Sequence, residues 1–187
     1  MLAALGCLFH ITAQAGSVTE WRIDANRSKL GFVAFYDNIP FNATFKKFSA
    51  RIFFDATALD RSSFEATVDI RSVDSDSPDR DEGMLEKAWF DTGQYPMATF
   101  TTSSFKTGGN SNQFRADGRL TIKGTAQEVT LPFTWDVIDK TKQTARLSGE
   151  LPLRRTDFSI GSGEWATDDT IGFNVKVLID LYLQPVR

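Results

Sequence analysis

The chain has 187 residues and a net charge of −3, so it has room for one domain and carries no excess of positive charge. Its apolar fraction of 41% is typical of a globular protein, whereas its 16 Phe residues suit strands that pack a wide interior. The pairs Lys46-Lys47 and Arg154-Arg155 are too short to form a nucleic-acid-binding surface. Nucleic acid is therefore excluded as an expected partner.

The first residues differ in character from the rest of the chain. Residues 2–13 contain no Asp, Glu, Lys or Arg, and Ala13-Gln14-Ala15 has the small-x-small pattern that signal peptidase accepts. We interpret residues 1–15 as a signal peptide, shortened at its start because a cationic n-region is missing, and 16–187 as a single domain. Two alternatives are an apolar arm packed on the domain and a lipid anchor at Cys7.

Export would have a chemical consequence, because Cys7 and His10 are the only cysteine and histidine in the sequence. A mature chain without them has no disulfide, thiolate nucleophile or His-based triad. It also lacks the usual ligands of zinc and copper. We expect a periplasmic bacterial protein that uses no metal and no cofactor.

Alternation of apolar and polar residues with period two runs through most of the chain and predicts β-strands. It is clearest in the last segment and over Val129–Val137, where Pro132 falls on the polar face. The apolar face of the last segment consists of Ile171, Phe173, Val175, Val177, Ile179, Leu181 and Leu183. Weaker alternation covers Trp21–Asp24, Lys29–Tyr36, Phe41–Phe48, Arg51–Asp55, Phe64–Val73, Thr99–Phe105, Gln113–Ile122 and Thr144–Leu153.

Turn signals separate these segments at Asp37-Asn38, Gly108-Gly109-Asn110, Lys123-Gly124 and Asp139-Lys140. Nine or ten short strands with few helical patterns between them predict an all-β antiparallel barrel or sandwich. One helix is expected over residues 79–90, where Pro78 suits the first turn. Met84 or Leu85 with Ala88 and Trp89 has the i, i+3, i+4 spacing of an amphipathic helix, which would cover one end of a barrel.

Carboxylates are the remaining candidates for catalysis. Asp79, Asp81 and Asp168 could form an acid/base pair at a barrel rim, but acidic runs are more often solvated loops or helix starts. The aromatic residues also allow two interpretations. They either fill a large core or line an apolar tunnel, and periodicity alone does not decide between the two.

Five segments in chain order form a further pattern: WRIDANRSKLGFVAFYDNIPFNATFKKFSARIFFD, its part FKKFSARIFFD, VDIRSVDSDSPDRDEGMLEKAWFDTGQYPMATF, GRLTIKGTAQEVTLPFTW and RRTDFSIGSGEWATDDTIGFNVKVLIDL. In this order they resemble the YceI-like, polyisoprenoid-binding family, and the resemblance extends from about Trp21 to the end of the chain. Three departures are Ser75 in place of a usual Thr, residues 42–44 in place of a usual Gly, and Phe173 in place of a common acidic residue.

The resemblance implies a lipocalin-like extended antiparallel barrel of roughly eight to ten strands, whose lumen holds an isoprenoid, a quinone-type tail or a fatty amide. It also implies periplasmic export, a homodimer, a stress-related role and a b561-type cytochrome as a partner. On this basis we expect a non-catalytic carrier. Its ligand-binding wall would come from the apolar faces: Phe32, Phe54, Val68, Phe100, Leu120, Phe133, Trp135, Val175 and Val177.

The ends of the tunnel are assigned to other residues. Met84, Leu85, Trp89 and Phe90 are expected at the helix-side end. Phe158 and Trp165 are expected at the opposite mouth, and Arg80 or Arg154 would contact a charged head group. Two rival functions remain: a hydrolase that uses Asp79, Asp81 or Asp168, and an interaction or stress protein whose barrel is filled.

Overall fold

The strands join edge to edge in one antiparallel sheet that closes on itself. The computed structural model describes residues 18–139, 141 and 143–186. The signal peptide, Cys7 and His10 fall on residues 1–17, and Lys140 of the fourth turn signal is also outside the described residues. The strands are β1 Glu20–Ile23, β2 Lys29–Tyr36, β3 Ile39–Phe45, β4 Phe48–Phe53, β5 Ser63–Asp69, β6 Val73–Asp74, β7 Met97–Thr107, β8 Gln113–Ile122, β9 Thr125–Asp139, β10 Thr144–Arg154 and β11 Asn174–Pro185.

Three pairs of these strands are continuations of each other. β1 and β2 both pair with β11, through Trp21↔Pro185 and Phe32↔Val177, and β3–β4 and β5–β6 continue in the same way. The eleven strands therefore form eight long strands of the barrel, each either one strand or two consecutive ones, which we call staves. The β1–β11 pairing closes the ring. The expected all-β antiparallel barrel is confirmed. Each stave therefore pairs with a neighbour on both sides over at least part of its length.

Local sequence accounts for where the staves turn and break. Asp37-Asn38 and Lys123-Gly124 have positive φ at both residues, as type I′ hairpin turns require, so both turn signals are confirmed. The predicted strand 41–48 instead ends at Phe45, and β4 begins at Phe48. The ladder between β9 and β10 ends at Phe133↔Gly149, next to Pro132, which has no N–H to donate.

Among the described residues there is one α-helix, α1, which spans Pro78–Leu85 and ends five residues before the predicted end at residue 90. The expected end at residue 90 is wrong, because Glu86 is extended and the chain turns there. Beyond Leu85 the chain folds back on the helix end, and the Phe90 N–H donates to the Met84 carbonyl oxygen at 3.0 Å. Short 3₁₀ helices occur at Leu59–Arg61, Ile70–Ser72, Arg155–Phe158 and Gly163–Trp165.

One end of the barrel is filled by aromatic side chains around Phe54. This ring is 2% exposed, and its centroid lies 4.5 Å from that of Trp135 and 5.5 Å from that of Phe133. The indole N–H of Trp21 donates to the Phe54 carbonyl oxygen at 3.0 Å. We call this region the closed end. The rings that surround Phe54 are those of Phe64, Phe105, Phe114, Phe133 and Trp135.

Candidate ligand-binding site

Above the closed end, the barrel contains an apolar cavity of about 800 Å³. Its floor is formed by Ile52, Leu147 and Leu181, and its far end by residues of α1 and the segments beside it. This volume lies within the range of about 300–1,000 Å³ that is usual for small-molecule sites. The part of the barrel away from the closed end therefore has room for a ligand.

The cavity exists because the inward positions halfway along the staves carry small side chains. An eight-stranded barrel is only just wide enough for its own side chains or for one small ligand. Alanine or valine at these positions leaves the space that Phe and Trp occupy at the closed end. The small side chains on the cavity wall are Ala34, Ala50, Val68, Ala66, Ala98, Val175 and Val177.

The cavity reaches solvent at the β2–β3 turn, which we call the open end. Tyr36 and Ile39, a cross-strand pair on the cavity wall, are 49% and 68% exposed. Arg80 of α1 lies on the same wall with its guanidinium 4.5 Å from the centre of the Phe41 ring. An apolar chain thus has a route inward that begins beside a cation.

Next to the open end, two covering segments are joined to each other at Ala88. The Ala88 carbonyl oxygen accepts hydrogen bonds from the N–H groups of Gly161 and Ser162 at 2.9 and 3.0 Å. The rings of Trp89 and Trp165 pack with centroids 5.6 Å apart, and both line the cavity. These contacts hold residues 86–90 and 158–165 over the cavity as one cover.

Lys123, in the β8–β9 turn, attaches the barrel wall to this cover. Its Nζ donates to the carbonyl oxygens of Lys87 and Ser159, both at 2.9 Å. Burial lowers the pKa of Lys123, and the opposing effect of the Asp91 carboxylate is smaller. The cover is therefore fixed by hydrogen bonds to carbonyl groups.

Arg155 organises the rest of the cover from inside the protein. The residue is 4% exposed and lines the cavity, and Nη2 donates to the carbonyl oxygens of Trp165, Thr167 and Ile171 at 2.7–2.9 Å. Nε and Nη1 donate to Gly172 and Ile160 at 3.2 and 2.9 Å. The segment 160–172 is wrapped around a single guanidinium, which satisfies carbonyls that burial would otherwise leave unpaired.

The charge of Arg155 has no carboxylate partner among the described residues, since its acceptors are all backbone carbonyls. Burial lowers the pKa of the guanidinium, and the attraction of Asp168 only partly opposes this effect. The side chain also packs near the rings of Trp89 and Phe173, with Cζ 5.5 and 5.3 Å from their centroids. Phe173, the departure from a common acidic residue, thus stacks against a cation.

The structure brings most of the predicted binding residues together on the cavity wall. Five lie elsewhere: Phe54, Phe133 and Trp135 pack in the closed end, Leu85 packs beside the Phe32 cluster, and Arg154 lies over Phe173. Phe54, Phe133 and Trp135 face the barrel interior as predicted, but they lie below the cavity and therefore do not line it. The predicted residues on the wall are Phe32, Val68, Arg80, Met84, Trp89, Phe90, Phe100, Leu120, Phe158, Trp165, Val175 and Val177.

Two further expectations are corrected. Phe158 and Trp165 do not form a mouth opposite the helix, because Trp165 packs on Trp89 and the opposite end is closed by aromatic rings. The predicted strand from residue 171 begins only at Asn174, since the carbonyls of Ile171 and Gly172 turn toward Arg155 instead of joining a ladder.

The rim carboxylates have different surroundings. Asp79 lies on the cavity wall at the open end and is exposed. Asp81 instead accepts hydrogen bonds from the N–H and Oγ of Ser75 at 2.9 and 2.6 Å, so it fixes the start of α1. Asp168 is exposed on the segment around Arg155. No group of three or more potential metal-binding side chains occurs within residues 18–139, 141 and 143–186.

Arg155, which lies next to the predicted Arg154, was not among the predicted site residues. The signal was present in β10, because Ala145, Leu147, Leu151 and Leu153 alternate and the next inward position is 155. The alanines of the wall (Ala34, Ala50, Ala66 and Ala98) were also not predicted, because strand patterns emphasise large apolar side chains.

The fold and cavity define a lipocalin-like antiparallel barrel with one short helix. The family model described as the YceI-like domain matches residues 21–183, and the chain belongs to this family. No helix in the described part of the chain has the length and apolar character needed to cross a bilayer.

A solved relative covers almost the whole described barrel. The chain is 34% identical to BcnA of Burkholderia cenocepacia, with a TM-score of 0.81 over 86% of this chain and 98% of that one. A polyisoprenoid-binding domain from Saccharophagus degradans, implicated in plant cell wall breakdown, has a TM-score of 0.70 at 18% identity, over 89% of this chain and 98% of its own. The second likeness concerns the fold alone.

A sequence relative, protein YceI of Escherichia coli O157:H7, is 33% identical over 88 residues. This stretch is 47% of the present chain and 45% of the relative, so the chain spans about half the length of the curated relatives it matches. The relatives found in this way are bacterial proteins.

Proposed function

We propose that the protein is a non-catalytic carrier that holds a long apolar ligand, such as a polyisoprenoid, a quinone-type tail or a fatty amide, in the barrel cavity. The observation that carries the proposal is the 800 Å³ cavity, whose wall is almost entirely apolar. Burial of each CH₂ group contributes about 0.8 kcal/mol, so a chain needs few polar contacts to bind. The ordering of the ligand offsets part of this gain.

The cavity volume limits the ligand. At about 30 Å³ for each water-sized group, a cavity of about 800 Å³ accommodates on the order of 25 carbon atoms. The floor at Leu147 and Leu181 would select chain length, because the aromatic rings of the closed end lie beneath it. Met84 at the helix side would adapt to different chains, since its side chain is unbranched.

The proposal includes a periplasmic location, a second copy of the chain as a partner, and a b561-type cytochrome that would exchange a quinone-type ligand. These rest on the family resemblance and on the interpretation of residues 1–15. Fractionation of the native host tests the location, and the mass of the purified protein in solution tests the dimer. Co-purification of a haem absorbance with the protein tests the cytochrome.

The ligand itself is tested by native mass spectrometry of the protein purified from its own host. We expect a stoichiometric apolar adduct that is lost in Val175→Arg, which places a charge on the cavity wall. The matched control is Asn174→Arg, which adds the same charge at the neighbouring exposed position. Ligand-free spectra from several hosts, or an adduct that persists in Val175→Arg, would contradict the carrier function.

A further inference from the structure

The cavity wall carries more cations than carboxylates. Three charged side chains lie on it: Asp79, Arg80 and Arg155. Two of them are cations and one is a carboxylate, and both Asp79 and Arg80 are exposed to solvent. The rest of the wall is apolar or carries an occasional hydroxyl group. A polar end of a ligand on this wall would therefore meet more positive than negative charge.

Within the described residues, Arg80 uses few of its N–H donors. Its described hydrogen bond runs from Nη1 to the Ser75 carbonyl oxygen at 3.4 Å, which is long, and a guanidinium has five N–H groups. The adjacent carboxylate of Asp81 is hydrogen-bonded to the N–H and Oγ of Ser75 and not to Arg80. Within the described residues, no salt bridge involves Arg80.

The ring of Phe41 supports the Arg80 guanidinium. Its centroid lies 4.5 Å from Cζ, and Phe41 is itself on the cavity wall. Stacking leaves the edge of the guanidinium plane free for a planar or tetrahedral oxyanion, the geometry in which arginine binds carboxylate and phosphate best. The cation is held at the boundary between apolar wall and solvent.

Arg155 adds a second positive charge that cannot be withdrawn from the wall. Its N–H groups are occupied by carbonyls of residues 160–172, and the residue is 4% exposed. Its N–H groups are therefore not available to a ligand, but its charge acts on a ligand through a low-dielectric interior. A cationic head group would be repelled at this end of the cavity.

We propose that the ligand ends in an oxyanion, a carboxylate or a phosphate, which binds to Arg80 at the open end while its apolar chain extends toward Leu147 and Leu181. This inference rests on the proposed carrier function and specifies its ligand class. With a neutral head group, the N–H donors of Arg80 would remain hydrogen-bonded to water. A cationic head group would be repelled by the positive charges of Arg80 and Arg155.

The test uses four compounds with one C15 tail: farnesyl phosphate, farnesoic acid, farnesol and farnesylamine. Each competes with the neutral fluorophore N-phenyl-1-naphthylamine for the full chain. We expect one or both oxyanions to bind about tenfold more tightly than farnesol, a typical effect of a charge-assisted hydrogen bond. Farnesylamine should bind more weakly than farnesol. The relative affinities of phosphate and carboxylate distinguish the two oxyanions.

Variants identify the group responsible. Arg80→Met keeps apolar contact with Phe41 and should remove most of the preference for the oxyanions over farnesol, with both affinities measured in the same variant. Arg154→Met is the matched control, because Arg154 lies over Phe173 and is not on the cavity wall. Oxyanions that bind no better than farnesol, or a preference of undiminished size in Arg80→Met, would overturn the inference. Failure of all four compounds to displace the fluorophore would instead contradict the carrier function.

Discussion

The guanidinium of Arg155 occupies the space in which a side chain at position 161 would begin. A Cβ atom added to Gly161 would overlap Nη1 of Arg155, and the backbone there has a φ of +77°. Gly161 also donates its N–H to the Ala88 carbonyl oxygen. One glycine thus lets the buried cation and the cover of the cavity approach each other.

The first prediction concerns this contact. Gly161→Ala should lower the free energy of unfolding by about 3 kcal/mol, because it adds a clash to an unfavourable φ. Gly163→Ala is the control, since Gly163 has a φ of +67° but no atom within 4 Å of its added Cβ. That variant should cost about 1 kcal/mol. Urea unfolding measures both, and equal costs would show that the clash is relieved.

Replacement of Arg155 should loosen the whole segment around it. Arg155→Met leaves buried carbonyls of residues 160–172 without donors, and we expect a loss of about 3 kcal/mol in the free energy of unfolding. Arg155→Lys should not restore it, because an ammonium has three donors and no planar fork. The exposed Arg154→Met should change the value by less than about 0.5 kcal/mol. Unfolding is followed by tryptophan fluorescence, to which Trp165 of the cover contributes, and wild-type stability in Arg155→Met would refute the role.

Phe54 and Phe100 should differ in their effects although both face the barrel interior. Phe54→Ala removes the ring at the centre of the closed end and should cost about 4 kcal/mol. Phe100→Ala changes the half-buried cavity wall and should cost about 2 kcal/mol. Fluorophore binding should weaken only in Phe100→Ala, because Phe54 is not on that wall. Similar losses of stability and binding in both variants would contradict the division into closed end and cavity.

Asp117 should contribute stability that is lost in acid. Side-chain hydrogen bonds from Lys106, Thr130 and Ser104 lower the pKa of Asp117 from 3.8 to about 2. A carboxyl group whose pKa is lower in the folded than in the unfolded state stabilises the folded state at pH values above the unfolded-state pKa. This contribution disappears as the pH falls from about 4 to about 2. Asp117→Asn should therefore flatten the pH dependence of the urea midpoint in that range. Thr130→Val should raise the pKa of Asp117 in an NMR titration, and an unchanged pKa would contradict the assigned cause.

Much of the fold could be predicted from sequence because strand periodicity and turn chemistry are local. Alternation located the strands, and Asp37-Asn38 located a hairpin turn through residues that tolerate positive φ. The ends of elements were less predictable. α1 stops at Leu85, where Glu86 is extended and the chain folds back so that the Phe90 N–H donates to the Met84 carbonyl oxygen.

For the candidate site, alternation indicated which side chains face inward, but not how deep each one lies. Val177 on the cavity wall and Leu183 in the closed-end core have the same pattern in β11. Their different surroundings follow from the stagger of the staves around the barrel, which long-range pairing sets.

By itself, the alternation in the sequence determined an all-β antiparallel barrel or sandwich with an apolar interior, because alternation with period two requires one buried face. Only the tertiary structure decided that this interior is filled at one end and open at the other. It also assigned Arg155 to the inside and Arg154 to the outside. Both outcomes depend on residues far apart in sequence, as when the carbonyls of 160–172 converge on one guanidinium and Phe54 meets Phe133 and Trp135.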